Sequence, residues 1–123
     1  MSDRIERAER FDALHQREGA FIIPNPWDAG SARMLAGLGF ESLASTSWGA
    51  AVALGQGDGA VSRDTMIEHV RQLSAATDLP LSADLENCYA HDPREAAQTL
   101  VLLDGRRFLR RSRVAGPASA RSV

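Results

Sequence analysis

Residues 79–93, LPLSADLENCYAHDP, start as a short apolar run and finish at a helix opening. Leu79 to Leu85 is the right length for a buried strand, and it is enclosed by turn-forming residues. Asp92 and Pro93 open a helix, with proline at the first helical position, where its missing N–H costs nothing. Strand followed by helix is one βα unit. The polar cluster between them, Asp84 to Asn87, would then lie at the end of the strand.

Two similar units precede it. FESLAST (40–46) reads as a strand, and Ser62 begins a helix whose apolar stripe is Met66, Ile67, Val70 and Leu73. AFIIPN (20–25) reads as a buried strand closed by Pro24 and Pro26. DAGSARMLAGLG (28–39) then forms a helix capped by Asp28 or Ser31 and stopped at Gly39. Residues 3–18 carry Ile5, Ala8, Phe11 and Leu14 on one helical face, and 47–61 is a glycine-rich loop with at most a helical turn inside it. Alternating strands and helices at this spacing predict βαβ units around a parallel sheet. Such sheets build their sites at the strand ends.

The chain has 123 residues, enough for one domain, and a 44% hydrophobic content that fits a globular protein. The single cysteine, Cys88, cannot form an internal disulfide, in keeping with a reducing cytoplasm. The start is charged throughout and has no signal-peptide core, and no apolar stretch approaches the roughly 20 residues of a membrane helix. Residues 1–105 hold 8 arginines against all 16 acids, a net −8, whereas 106–123 hold 6 arginines and no acid. Lysine is absent. The arginine tail lacks interleaved aromatics or any nucleic-acid module, so neither nucleic acid nor a membrane is an expected partner.

Asp84 and Glu86 are two apart, which on an extended strand places both side chains on one side. Carboxylates at a strand end suit Mg²⁺, with waters filling the shell, and Asp58 in the glycine-rich loop could join them. A metal there would hold a 2-oxo acid and stabilise an enolate. By spacing alone such a pair is more often a solvated turn or a helix-cap acid than a metal site. Trp27 reads as a packing aromatic, Cys88 as a small buried residue and His69 as solvent-facing. His15 and His91 have no partners at ligand spacing, and GLGF (37–40) is a helix stop and no dinucleotide loop.

Three collinear stretches, FIIPNPWDAGSARMLAGLGF, STSWGAAVALGQGDGAVSRDTMIEHV and LPLSADLENCYAHDP, resemble the isocitrate lyase/phosphoenolpyruvate mutase superfamily over about residues 8–103. The nearest branch is the carboxyvinyl-carboxyphosphonate phosphorylmutase-like proteins. The resemblance implies an α/β fold in which residues 1–105 supply the first three βα units of a (β/α)₈ TIM-type barrel, truncated here, since such a barrel takes about 250 residues. It also implies a Mg²⁺-dependent lyase or mutase that makes or breaks C–C or P–C bonds of a small 2-oxo acid or phosphonate, with homo-oligomers among intact relatives. In matching positions, Asp84 and Glu86 become metal ligands, Asp58 and Glu86 catalytic groups, and Ser47, Gly49 and Asp28 substrate contacts. Where the family reads N-G-Y-G, this chain has Asn87-Cys88-Tyr89-Ala90. A positive φ at either replaced glycine would strain the loop by about 1 kcal/mol or more. Residues 106–123 read as an irregular tail of the composition that out-of-frame translation of GC-rich codons produces. An inactive fragment or an oligomerising half-barrel is the alternative to an enzyme.

Overall fold

The structure is a computed structural model that describes residues 3–104, so the arginine-rich stretch 106–123 lies outside the described residues. Five helices and one small parallel sheet make up that region: α1 (Asp3–Gln16), α2 (Ala29–Gly37), β1 (Leu43–Ala44), α3 (Ser47–Ala53), α4 (Arg63–Ala76), β2 (Leu81–Ser82) and α5 (Pro93–Asp104).

The strands pair Leu43 with Leu81 and Ala44 with Ser82. Both are far shorter than the apolar runs around them, yet their hydrogen bonds fix the layout. Leu43 N–H donates to Pro80 O at 2.9 Å and Ser45 N–H to Ser82 O at 2.8 Å, whereas Ala44 N–H points the other way, to Pro24 O at 3.1 Å. Alternate donors of a strand face opposite edges, so β1 runs between β2 and the segment 20–25. That segment is extended but is no strand, contrary to the sequence reading. Pro24 and Pro26 have no N–H to offer a ladder, so a single backbone bond and the Asn25 side-chain amide, which donates to Ala44 O at 2.9 Å, hold it in place.

Helix α4 supplies most of the core. Met66, Val70 and Leu73 are almost fully buried, each stabilising the fold by about 1.5–3 kcal/mol. They divide between two clusters: Met66, Ile67 and Val70 meet Ala50, Ala51, Val61 and Leu85, while Leu73 meets Ala32 and Leu43. His69, expected in solvent, is buried with them at 8% exposure. It lies three residues after Met66 and four before Leu73, on the same helical stripe. A second difference is α3, a helix in a stretch read as loop. Thr46 caps it by accepting the Gly49 N–H at 3.2 Å, and Ala50 and Ala51 are completely buried.

Helix α1 is pinned at two points. Arg7 donates to the carbonyls of Ser74 (3.1 Å) and Thr77 (3.0 Å), closing the C-terminal end of α4. His15 stacks edge-on between Phe11 and Phe21, joining the helix to the extended segment.

Candidate active site at the strand ends

Three serine-family side chains follow β1, and Asp84 follows β2. The Asp84 N–H donates to Ser45 Oγ at 2.8 Å. Its carboxylate is gripped on both oxygens, by the Ser47 N–H on Oδ2 at 3.0 Å and the Glu86 N–H on Oδ1 at 3.0 Å. Ser47 is the first residue of α3. The acid therefore satisfies one of the orphan donors at that helix terminus. Partial burial pushes the carboxyl upward, but the hydrogen bonds from Ser47 and Glu86 outweigh it and hold it below its ordinary value. Asp84 is ionised at neutral pH, and each oxygen keeps a lone pair for a further partner.

Glu86 does not share a strand face with Asp84. The strand ends at Ser82, and Glu86 begins a turn in which Glu86, Cys88 and Tyr89 all have positive φ, at 52°, 60° and 59°. Glu86 is exposed. Cys88 occupies one of the positions where the resembling family has glycine, and it is strained in the way anticipated, while its thiol is buried as expected. The turn is fastened by Thr99 of α5, whose hydroxyl donates to Cys88 O at 2.7 Å. Tyr89 has a hydroxyl that is buried without a partner among the described residues. Desolvation, followed by the charges of Glu86 and Asp84, pushes its pKa up to about 12.

Asp58 lies exposed between Gly55 (φ 68°) and Gly59 (φ 74°). Among the described residues no three histidine, cysteine, aspartate or glutamate side chains assemble as a metal cage. The expectation that Asp58 joins Asp84 and Glu86 around one ion is thus not met by this arrangement. The pair Asp84 and Glu86 is still a donor set of the kind Mg²⁺ accepts, since that ion is commonly held by one or two carboxylates with waters.

Asp28 is engaged as the cap of α2. It accepts from Ser31 N–H at 2.7 Å and Ser31 Oγ at 2.9 Å, and these bonds lower its pKa. Ser31 completes a capping box by accepting from the Asp28 N–H at 3.1 Å. Beside this cap stands an aromatic corner that the sequence reading missed. Trp27 and Trp48 meet edge to face, their centroids 5.1 Å apart. The Trp27 indole also lies over Gly49, where a methyl group would sit 2.6 Å from Trp27 Cδ1 and from Thr46 Cγ2. Ser47 and Gly49 are therefore brought to the same corner as Asp84, with Gly49 beneath an indole. Nothing in the spacing of 27 and 48 announces their contact, because it depends on how two loops cross.

The family model for phosphoenolpyruvate phosphomutase matches residues 11–104. An uncharacterized protein of Mycobacterium tuberculosis is 30% identical over 95 residues, which is 76% of this chain and 36% of that protein. A Burkholderia cenocepacia crystal structure classed as a lyase/mutase superposes with a TM-score of 0.77 at 56% identity, over 80% of this chain and 35% of that one. A second from the same organism, classed as a phosphonomutase, gives 0.75 at 38% identity, over 80% and 40%. The crystal structure of 2,3-dimethylmalate lyase gives 0.67 at 27% identity, over 78% and 34%. The chain spans between 34% and 40% of the length of these relatives. A match over most of its residues, together with collinear structural agreement, shows that this chain belongs to the phosphoenolpyruvate mutase family of the PEP mutase/isocitrate lyase superfamily.

Proposed function

We propose that the strand-end site binds a small 2-oxo or 2-hydroxy carboxylic acid, or a phosphonate analogue, and belongs to a Mg²⁺-dependent lyase or mutase acting through an enolate-like species. In this reading residues 3–104 are three βα units of a (β/α)₈ barrel, and the strand ends form part of its catalytic rim. The observation that carries it is the placement of Asp84: an ionised carboxylate, held by two backbone N–H groups, at the junction of β2 and α3. Mg²⁺, when bound, supplies Lewis-acid stabilisation of the charge that develops on the substrate oxygen. Asp84 and Glu86 would hold it. Ser47, at the start of α3, offers a hydroxyl to the substrate carboxylate, and Gly49 keeps the first turn of α3 close to the Trp27 indole. Asp28 orients the start of α2 and so sets the position of Trp27. Asp58, on its glycine-flanked turn, is the candidate proton carrier, with Glu86 as its alternative.

Isothermal calorimetry with Mg²⁺ and pyruvate or oxaloacetate tests the reading. Binding that depends on Mg²⁺ and falls at least tenfold in Asp84→Asn is expected, since the substitution keeps the shape and removes the charge. No Mg²⁺-linked binding by the native chain would overturn it.

A second reading, an inactive fragment or an oligomerising half-barrel, draws on one observation. Leu100, Val101 and Leu102 of α5 are all exposed. Size-exclusion chromatography alongside the calorimetry separates the two: association without acid binding is the signature of the second.

A further inference from the structure

Two tryptophans are present in the whole sequence, and both stand at this corner. Trp27 is 40% exposed and Trp48 is 51% exposed, although each ring packs against the other. Exposed indoles are costly to leave wet, since each carries a large apolar area. The pair is also fixed in place. Trp27 is anchored from both sides of its backbone, by its own N–H donating to Ser31 Oγ at 2.9 Å and by the Asp28 cap that follows it. Its ring rests on the bare backbone of Gly49, where any side chain would collide with it. Trp48 follows Ser47, the residue whose N–H holds the Asp84 carboxylate. A rigid apolar surface and an acid-orienting polar group are therefore adjacent in the chain.

We propose that Trp27 and Trp48 form the apolar wall of the acid-binding site and select acids that carry a hydrocarbon branch on the carbon beyond the 2-oxo group. This rests on the acid-binding reading above and adds a specificity to it: the Ser47 hydroxyl takes the carboxylate end, and the indoles take the alkyl flank. A branch that covers the indoles removes apolar surface on both partners from water, whereas pyruvate is too small to reach across. Two additional buried carbons correspond to about a tenfold gain in affinity.

The native chain reports on itself here, because its tryptophan fluorescence arises only from the proposed wall. Titration of the full chain with 3-methyl-2-oxobutanoate and with pyruvate, at equal Mg²⁺, is expected to give a blue shift and about tenfold tighter binding for the branched acid. In Trp48→Ala, which removes an exposed ring and leaves the Trp27–Gly49 contact in place, the ratio of the two affinities is expected to fall to about two or less. Trp27→Phe keeps an aromatic on Gly49 and is expected to lower the ratio partway. If both acids bind with equal affinity, or the ratio survives Trp48→Ala, the wall has no role in selection and the inference fails while acid binding stands. If neither acid binds by calorimetry, the acid-binding reading fails and takes the inference with it. An emission shift that follows protein concentration and ignores the acids would identify the pair as a contact between copies, and would likewise overturn it.

Discussion

The Tyr89 hydroxyl is buried and bonds to nothing among the described residues, while its ring packs against the cluster formed by α3, α4 and the segment after β2. An unsatisfied buried donor costs about 1–3 kcal/mol. Tyr89→Phe removes that cost and retains the ring, so it is expected to raise the unfolding free energy by about 1 kcal/mol, measured by urea titration. A fall in stability would mean that the hydroxyl has a partner. The neighbouring residues show what single positions disclose in a sequence. The place of Asp84 just past a strand was readable because it stands where an apolar run ends, and the strain at Cys88 because its family counterpart is glycine. The left-handed backbone at Glu86 was not, since glutamate carries no mark of positive φ; the conformation is imposed by the turn closing onto Asp84, Leu85 and Asn87. The alternation rule that put Glu86 beside Asp84 applies only as far as the strand extends, and this strand stops at Ser82.

Helices α1, α2, α4 and α5 were legible because their signals are local, whereas α3 was read as loop. Ser62 caps α4 by accepting from the Thr65 N–H at 3.3 Å, and Asp92 caps α5 through the N–H groups of Arg94 and Glu95. Strands were legible only in outline, because a ladder depends on what a neighbour offers, and Pro24 and Pro26 withhold donors. His69 was misjudged by its polarity, although position 69 falls on the buried stripe between Met66 and Leu73. Burial holds its imidazole below the usual value of about 6.5, with the Asp28 charge acting weakly in the opposite sense. The folded state therefore disfavours the proton that the unfolded chain accepts. Stability is complete above pH 6.5 and declines as pH falls from there toward the folded pKa, below which the loss levels off. Thermal melts between pH 7.5 and 5 are expected to show this decline, and His69→Gln is expected to flatten it. Arg7 acts at the same scale by closing the last turn of α4 from α1. Its side chain is mostly shielded, and its bonds to Ser74 and Thr77 are charge-assisted. Arg7→Met keeps most of the aliphatic stem and is expected to cost about 1–3 kcal/mol in urea unfolding. An unchanged midpoint would show that water satisfies those carbonyls equally well.

At the scale of the whole molecule, βαβ organisation could be read from periodicity, and the parallel pairing of β1 with β2 agrees with it. What periodicity cannot supply is the neighbour of each outer face. Among the described residues β2 pairs with β1 alone, leaving its other edge unmatched. Val101 on α5, Met34 on α2 and Leu38, which caps the C-terminus of α2, are each at least 70% exposed. Met34 and Leu38 are four residues apart and so share a face of the chain at that end of the helix. In a closed ring of βα units, faces of this kind are covered by the adjacent units, whereas an open parallel edge and bare apolar helices favour association between chains. The chain is therefore expected to sediment faster as its concentration rises. Val101→Glu places a charge at the most exposed apolar position of α5 without touching the buried Thr99 or Leu103, so it should weaken self-association at least several-fold while leaving the far-ultraviolet circular dichroism unchanged. Sedimentation velocity over a hundredfold concentration range distinguishes the possibilities. If Val101→Glu associates as strongly as the native chain, contact between copies runs through the β2 edge or α2, and the same substitution at Leu38 becomes the one that should disperse it.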